Sequence, residues 1–234
     1  DRAPDWVPLA LDGTRVTGEV PHVLGAAGAD VLLVPVDGAG VARIAVDAAD
    51  VQPDDLLDAS RQTATVRLDG ASADSVVPAE PGVMDRVAAL ASTLVAADSL
   101  GAAEKMLELS VEYSLQRHQF GKPIGSFQAV KHACAQMLVT VEAAFSSALY
   151  AAAAIDTSLD DAAVIAAVAK AQVTDTVASL ADSALTVHGA IGYTWEHDLQ
   201  ILYKRAKLNR TLFGTPSVWN ERIASVLLDS EIAS

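Results

Sequence analysis

Arg117-His118-Gln119-Phe120-Gly121-Lys122-Pro123-Ile124-Gly125-Ser126-Phe127-Gln128-Ala129-Val130-Lys131-His132 joins two alanine-rich, strongly helical stretches. Its Gly/Pro turn marks where one helix must stop and the next must start. The same segment sets an arginine close to an aromatic. A guanidinium forks onto pyrophosphate oxygens, and a phenylalanine packs on a flat ring system. Two readings follow: a loop for a planar phosphate ligand, or a plain helix–helix connection whose Arg117 is merely solvated.

Outward from this segment the pattern is helical. Val83, Val87, Leu90, Ala91, Leu94 and Val95 recur at helical spacing, and the pattern continues to Tyr113 and Leu115. That helix, starting near Pro81, is roughly 50 Å long at about 1.5 Å per residue. A second is predicted over about 127–155. Asp156-Thr157-Ser158-Leu159-Asp160-Asp161 breaks it and caps a third over about 161–187. Shorter helices are predicted over 196–212 and 216–228, the latter with Pro216 in its first turn.

Residues 1–80 follow another grammar. Turn signals recur at Asp12-Gly13, Gly25-Ala26-Ala27-Gly28, Asp37-Gly38-Ala39-Gly40 and Asp69-Gly70. Between them lie short apolar runs at 31–36, 42–46 and 63–68, the last alternating as a half-buried strand should. The expected fold class is α+β: a small antiparallel β-domain over 1–80, then an antiparallel four- to five-helix bundle over 81–234. Alanine is the best helix former, but alanine on more than one helix face also predicts burial on more than one side. The helical half is therefore expected to oligomerise.

Of the 234 residues, 51% are hydrophobic and 5% aromatic, and the formal charge is −14. Such acidity argues against nucleic-acid binding and against docking on anionic lipid. Cys134, the sole cysteine, has no internal disulfide partner, which points to a reducing, cytoplasmic setting. No signal-peptide pattern opens the chain, and apolar stretches such as 162–169 are read as too short to span a bilayer. The opening residues Asp1 to Trp6 read like the interior of a domain, so the chain is expected to be a fragment or to lack the residues before it.

Three stretches together carry a family resemblance. They are Arg117-x-x-Phe120-Gly121-x-Pro123-Ile124, Phe127-Gln128-Ala129-Val130-Lys131-His132, and Val187-His188-Gly189-Ala190-Ile191-Gly192-Tyr193-Thr194-Trp195-Glu196-His197-Asp198-Leu199. They resemble the C-terminal helical domain of acyl-CoA dehydrogenases, and Leu11–Gly18 resembles a hairpin of that family's middle β-domain. The resemblance implies FAD-dependent α,β-desaturation of an acyl-CoA thioester, with electrons passed to an electron-transfer flavoprotein. By that resemblance Arg117 grips the FAD pyrophosphate of a neighbouring subunit. Phe120 and Gln128 line the cofactor, Gly189 and Gly192 let backbone approach its ADP part, and Thr215 lies close to the flavin.

The departures are equally informative. The family's catalytic glutamate falls at Phe213 in Leu212-Phe213-Gly214-Thr215, or in other members near Ala91 on the long helix. Neither residue takes a proton, and a general base contributes about 10²–10⁴ in rate. Asp98 lies about 10 Å beyond Ala91 along the helix and Glu104 farther still, while Glu196 and Asp198 suit structural roles. No flavin-stacking tryptophan is apparent after Gly18. Trp6 is read as packing, and His22 as a turn residue.

The chain thus resembles a subunit of the α2β2 heterotetrameric acyl-CoA dehydrogenases of actinobacteria, which act on bulky acyl-CoAs including sterol side chains. In this reading a related partner carries the base. The alternatives are a self-sufficient homotetramer with its base elsewhere, and a flavin monooxygenase, nitroalkane-type oxidase or non-catalytic acyl-CoA-binding scaffold on the same fold.

Overall fold

The computed structural model describes residues 8–38 and 40–232, with side chains as far as 228. The chain divides into two compact units, one ending at Met84 and the other beginning at Asp85. Trp6 lies outside the described residues.

In the first unit, β1 (Ala10–Asp12) turns through Gly13 (φ 62°) into β2 (Arg15–Leu24), with Asp12 opposite Arg15. A two-residue hairpin loop needs a positive φ, which glycine supplies without a Cβ clash. β3 (Val31–Val36), β4 (Gly40–Ala45), β5 (Asp50–Pro53), β6 (Thr63–Ser72) and β7 (Ser75–Pro78) complete the unit. Two antiparallel sheets result, ordered β1-β2-β6-β5 and β3-β4-β7. Alternation sets their faces. On β3, Leu32, Val34 and Val36 are buried whereas Leu33 is exposed. They join Val16, Val66 and Leu68 of the other sheet in one core.

β2 is irregular between Val20 and Val23, where His22 takes a positive φ of 58°. His22 therefore sits at a break in strand register, not in a connecting turn as the sequence suggested. Its Nδ1 lies 3.0 Å from Asp54 Oδ2. The Thr63 hydroxyl, and then His22, hold the Asp54 carboxyl below its ordinary range.

The second unit holds α1 (Val83–Gln116), α2 (Gln128–Asp156), α3 (Ala162–His188), α4 (Leu199–Thr211) and α5 (Pro216–Ile232). α3 packs on α2, α4 and α5. The core is built largely from small residues: Ala96 and Ala103 of α1, Ala144, Ala148 and Ala151 of α2, and Ala169, Ala181 and Ala184 of α3. Met106, Met137, Val173 and Val177 fill the space between them. A second cluster seats Trp219 of α5 against Ala88, Ala167 and Ala171.

Two expectations are corrected. Asp161 precedes α3 but its carboxylate accepts no capping hydrogen bond; its backbone (φ −98°, ψ 11°) lacks the extended geometry that lets an N-cap carboxylate reach back. The chain also contains segments long and apolar enough, by length and composition, to cross a membrane, namely α1, α2 and the 162–193 stretch containing α3. Alanine runs with few charges accumulate that hydropathy. In the helical unit, about half of the apolar window is buried for α1 and for 162–193, and 28% for α2.

Because Ala151 is wholly buried in this core, Ala151→Leu should overpack it and lower stability by about 1–3 kcal/mol. Thermal unfolding of the variant should show a clearly reduced midpoint; an unchanged midpoint would mean that the α2 core has room to spare.

Candidate functional site

α1 ends at Gln116, and the next residue is fixed from both sides. The Arg117 N–H donates to the Tyr113 carbonyl at 2.9 Å, and the Ile124 N–H donates to the Arg117 carbonyl at 2.8 Å. Between these contacts lies a miniature hairpin, β8 (His118–Gln119) against β9 (Lys122–Pro123). Phe120 and Gly121 form its tip, both with positive φ (54° and 78°). That pairing is the one a two-residue primed turn demands, and it leaves the Phe120 side chain 90% exposed. The Phe120 ring meets Phe127 edge-on at 6.0 Å between centroids, and the Lys122 ammonium lies 4.5 Å from the Phe127 ring centre.

Gly125 holds this loop down on α1. A Cβ there would stand 3.0 Å from both the carbonyl oxygen and the hydroxyl of Ser114. α2 then starts at Gln128, which is exposed, with no side-chain cap from Phe127. Its first backbone N–H groups are therefore not met by a capping side chain.

At the end of α3, the His188 ring stacks on Tyr113 of α1 with centroids 4.6 Å apart, and meets His197 at 4.8 Å. His188 Nδ1 lies 2.8 Å from the Ala184 carbonyl. A carbonyl only accepts, so Nδ1 carries the proton. Burial holds His188 below the ordinary imidazole range, the Ala184 carbonyl opposing that shift and His197 adding to it. The His197 Nδ1 in turn accepts from the Leu199 N–H at the start of α4. This ring stack brings the end of α1 and the end of α3 together. It therefore gathers Arg117, Phe120, Gln128, Gly189 and Gly192 at one end of the helical unit.

The two glycines there are required for different reasons. Gly189 takes φ 65° and ψ −144°, a conformation close to glycine-only backbone, and a Cβ on it would meet nothing within 4 Å. Its backbone is open to a ligand. Gly192 is buried, and a Cβ there would come within 2.8 Å of Leu185 and 3.0 Å of Leu199. Its small size thus serves packing between α3 and α4.

Charge favours an anion at this end. No Asp or Glu occurs between Glu112 and Glu142, whereas Arg117, His118, Lys122, Lys131 and His132 fall within that span of a chain carrying 30 acids. Among the described residues no hydrogen bond or ion pair engages the exposed Arg117 guanidinium. The pattern is legible in the sequence as a gap in acidic residues around the Arg117–His132 stretch.

Thr215 stands apart from this group. Lys170 of α3 donates to the carbonyls of Asn209 (3.1 Å) and Gly214 (3.0 Å), so the Leu212–Thr215 turn lies beside Lys170. Lys170 precedes His188 by 18 positions, about 27 Å along α3 at 1.5 Å per residue. Thr215 Oγ1 pairs with Ser217 Oγ at 3.0 Å, and its carbonyl accepts from the Trp219 N–H.

Phe213 (φ 56°) has its carbonyl held by Trp219 Nε1 at 3.0 Å, and Ala91 is half-buried on α1. The Asp98 carboxylate is ion-paired with Arg205 and accepts from Asn209 Nδ2 at 2.7 Å. A carboxylate so engaged is stabilised as the anion and makes a poor proton acceptor. Glu104, Glu196 and Asp198 are exposed.

The family model of the acyl-CoA dehydrogenase C-terminal domain matches residues 83–228. Acyl-CoA dehydrogenase FadE34 of Mycobacterium tuberculosis is 39% identical over 93% of the chain, which covers 32% of that protein. Acyl-CoA dehydrogenase IpdE2 of the same organism is 36% identical over 76% of the chain and 52% of its own length. The chain thus spans between a third and about half of these relatives. Among solved structures, the ChsE4-ChsE5 complex from Mycobacterium tuberculosis superposes with TM-score 0.87 at 26% identity, covering 97% of this chain and 65% of that one. A variant of the Tcur3481-Tcur3483 steroid ACAD superposes with TM-score 0.88 at 25% identity, covering 99% and 64%.

The two glycines can be told apart by experiment. Gly189→Ala and Gly189→Val should each lose a similar amount, of order 1–3 kcal/mol from backbone conformation, since there is space for either side chain. Gly192→Val should lose more than Gly192→Ala, because the overlap with Leu185 and Leu199 grows with size. Urea denaturation of the four variants checks this; equal losses for the Gly192 pair would contradict the packing role.

Proposed function

The chain belongs to the acyl-CoA dehydrogenase family, and on that premise we propose that it is a subunit of a heteromeric, FAD-dependent acyl-CoA dehydrogenase. In this reading it lacks the catalytic base and completes the cofactor site of a related partner subunit. The observation that carries the proposal is the separation within the helical unit. Arg117, Phe120, Gln128 and Gly189 gather at one end, while the turn bearing Phe213 and Thr215 lies about 27 Å away along α3. The two ends are suited to serve different cofactor molecules.

The residues present fit FAD. The Arg117 guanidinium offers a planar fork that matches pyrophosphate oxygens. The start of α2 adds backbone N–H groups without a side-chain cap, a favourable place for phosphate. Phe120 presents an exposed ring to a flat ligand, and the Gly189 backbone admits close approach. Bound FAD supplies a hydride acceptor and a route for electrons to an electron-transfer flavoprotein.

Desaturation also needs a carboxylate to remove the α-proton of the thioester. Phe213 and Ala91 carry none, and Asp98 is committed to Arg205 and Asn209. The base therefore belongs to the partner. α2 offers a face for assembly: Leu138, Phe145 and Leu149 recur on one stripe and are all exposed in the single chain. The likeness to a solved steroid ACAD supports a bulky acyl-CoA as substrate.

The purified chain alone should show no dehydrogenase turnover with an acyl-CoA and an artificial electron acceptor, and the related subunit should restore it. Arg117→Ala in that complex should weaken flavin retention about ten- to hundredfold, as loss of a hydrogen bond to a charged group worth about 1.5–3 kcal/mol requires. Flavin absorbance after gel filtration reads this directly. Turnover by the isolated chain, or full flavin retention by the variant, would overturn the proposal.

A further inference from the structure

Lys170 is wholly buried and is the sole charged residue between Asp161 and Asp175. A lysine in such a place normally lies at the surface or opposite a carboxylate. Here the ammonium meets two backbone carbonyls instead, those of Asn209 and Gly214, at 3.1 and 3.0 Å. Asn209 lies in the last turn of α4, where carbonyls lack intrahelical partners and the helix dipole favours a cation.

The segment it grips has unusual backbone. Phe213 and Gly214 both take positive φ, 56° and 100°. For a bulky aromatic this conformation is a genuine outlier, maintained only where the surroundings enforce it. Three contacts enforce it here: Lys170 on the Gly214 carbonyl, Trp219 Nε1 on the Phe213 carbonyl, and the Gly214 N–H on the Thr211 carbonyl. α1 braces the same turn through Asp98 Oδ2 and Ser99 Oγ, which both accept from Asn209 Nδ2.

We propose that Lys170 is a positioning residue for the Leu212–Thr215 turn, its ammonium clasping the Asn209 and Gly214 carbonyls so that Phe213 and Thr215 are presented in one fixed geometry. The role of that turn beside a flavin rests on the function proposed above; the clasp itself does not.

The charged groups around Lys170 are few. On α4, Arg210 is paired with Asp175 of α3 at 2.8 Å, and Arg205 with Asp98 of α1. On α5, Arg222 lies over the Trp219 ring and pairs with Asp85 of α1. Burial first, and the Arg210 charge second, lower the Lys170 ammonium to about 8. Below that pH the two hydrogen bonds are charge-assisted; above it a neutral amine makes weaker ones. The effect on overall stability has the opposite sign. The folded-state value lies below the unfolded one, so between about 8 and the ordinary lysine value of 10.5 the unfolded chain binds the extra proton, and stability rises with pH. A clasp thus predicts a turn that loosens through this window while the fold as a whole does not.

The test is NMR on the uniformly ¹⁵N-labelled chain, which needs neither flavin nor partner, so its failure leaves the cofactor reading untouched. The Trp219 indole N–H and the Gly214 amide should shift together with one inflection near pH 8. Lys170→Arg, which keeps the charge throughout this range, should give flat profiles. Lys170→Met should lose about tenfold or more in hydrogen-exchange protection at these two protons, with Val177 in mid-α3 unaffected. A wild-type titration that stays flat up to the ordinary lysine value of 10.5, the same inflection in Lys170→Arg, or unaltered protection in Lys170→Met would each overturn the proposal. Should the variants fail to fold, the wild-type titration alone decides.

Discussion

The helical unit depends on the size of the side chains along α3. That helix packs on α2, α4 and α5, and it does so through Ala167, Ala169, Ala171, Ala178, Ala181 and Ala184, all buried. Small residues let backbones approach closely, and larger ones such as Val173, Val177 and Leu180 fill what remains. Polar groups buried along so enclosed a helix are costly unless hydrogen-bonded. Lys170 does so with two carbonyls, and the Thr174 hydroxyl with the Lys170 carbonyl. Close packing and the buried clasp are two consequences of one constraint.

The same arrangement separates the ends of the unit. α3 terminates in the His188 ring stack and begins near the Lys170 clasp, so one rigid element fixes both the Arg117 loop and the Phe213 turn. The Arg117 loop is built to face outward: the primed turn at Phe120-Gly121 exposes the aromatic, and Gly125 presses the remainder onto Ser114. The Phe213 turn is held from α1, α3 and α5 although its side chain cannot take part in proton transfer. Under the proposed function, a turn kept in shape without a carboxylate is what a subunit that clamps a neighbour's cofactor should retain.

Much of this was legible in the sequence. The strand at 31–36 followed from its apolar run between turn signals and the one at 63–68 from alternation, and the four to five helices from the 3.6-residue period, with the Gly/Pro turn before Ile124, the 156–161 break, Gly189, and Pro216 in a first turn marking their ends. The hairpin between α1 and α2 was missed because its strands are two residues each, too short for any period to register. The expected Asp161 cap was absent because capping depends on the extended backbone of one residue, which composition does not encode. His22 was misplaced because a strand irregularity looks like a turn in one dimension. Lys170 was visible as a single charge in an apolar helical run, but its partners are backbone carbonyls contributed from some 40 residues away, which no side-chain pattern announces.

We propose that the Arg117 end of this chain clamps a cofactor housed by another subunit. Flavin stoichiometry tests it most directly, by counting FAD against each polypeptide in the chain alone and in its complex with the related subunit. The account predicts essentially no tightly held flavin in the chain alone, and one flavin for each pair of unlike subunits in the complex. A homo-oligomer of this chain retaining one flavin per polypeptide would contradict it.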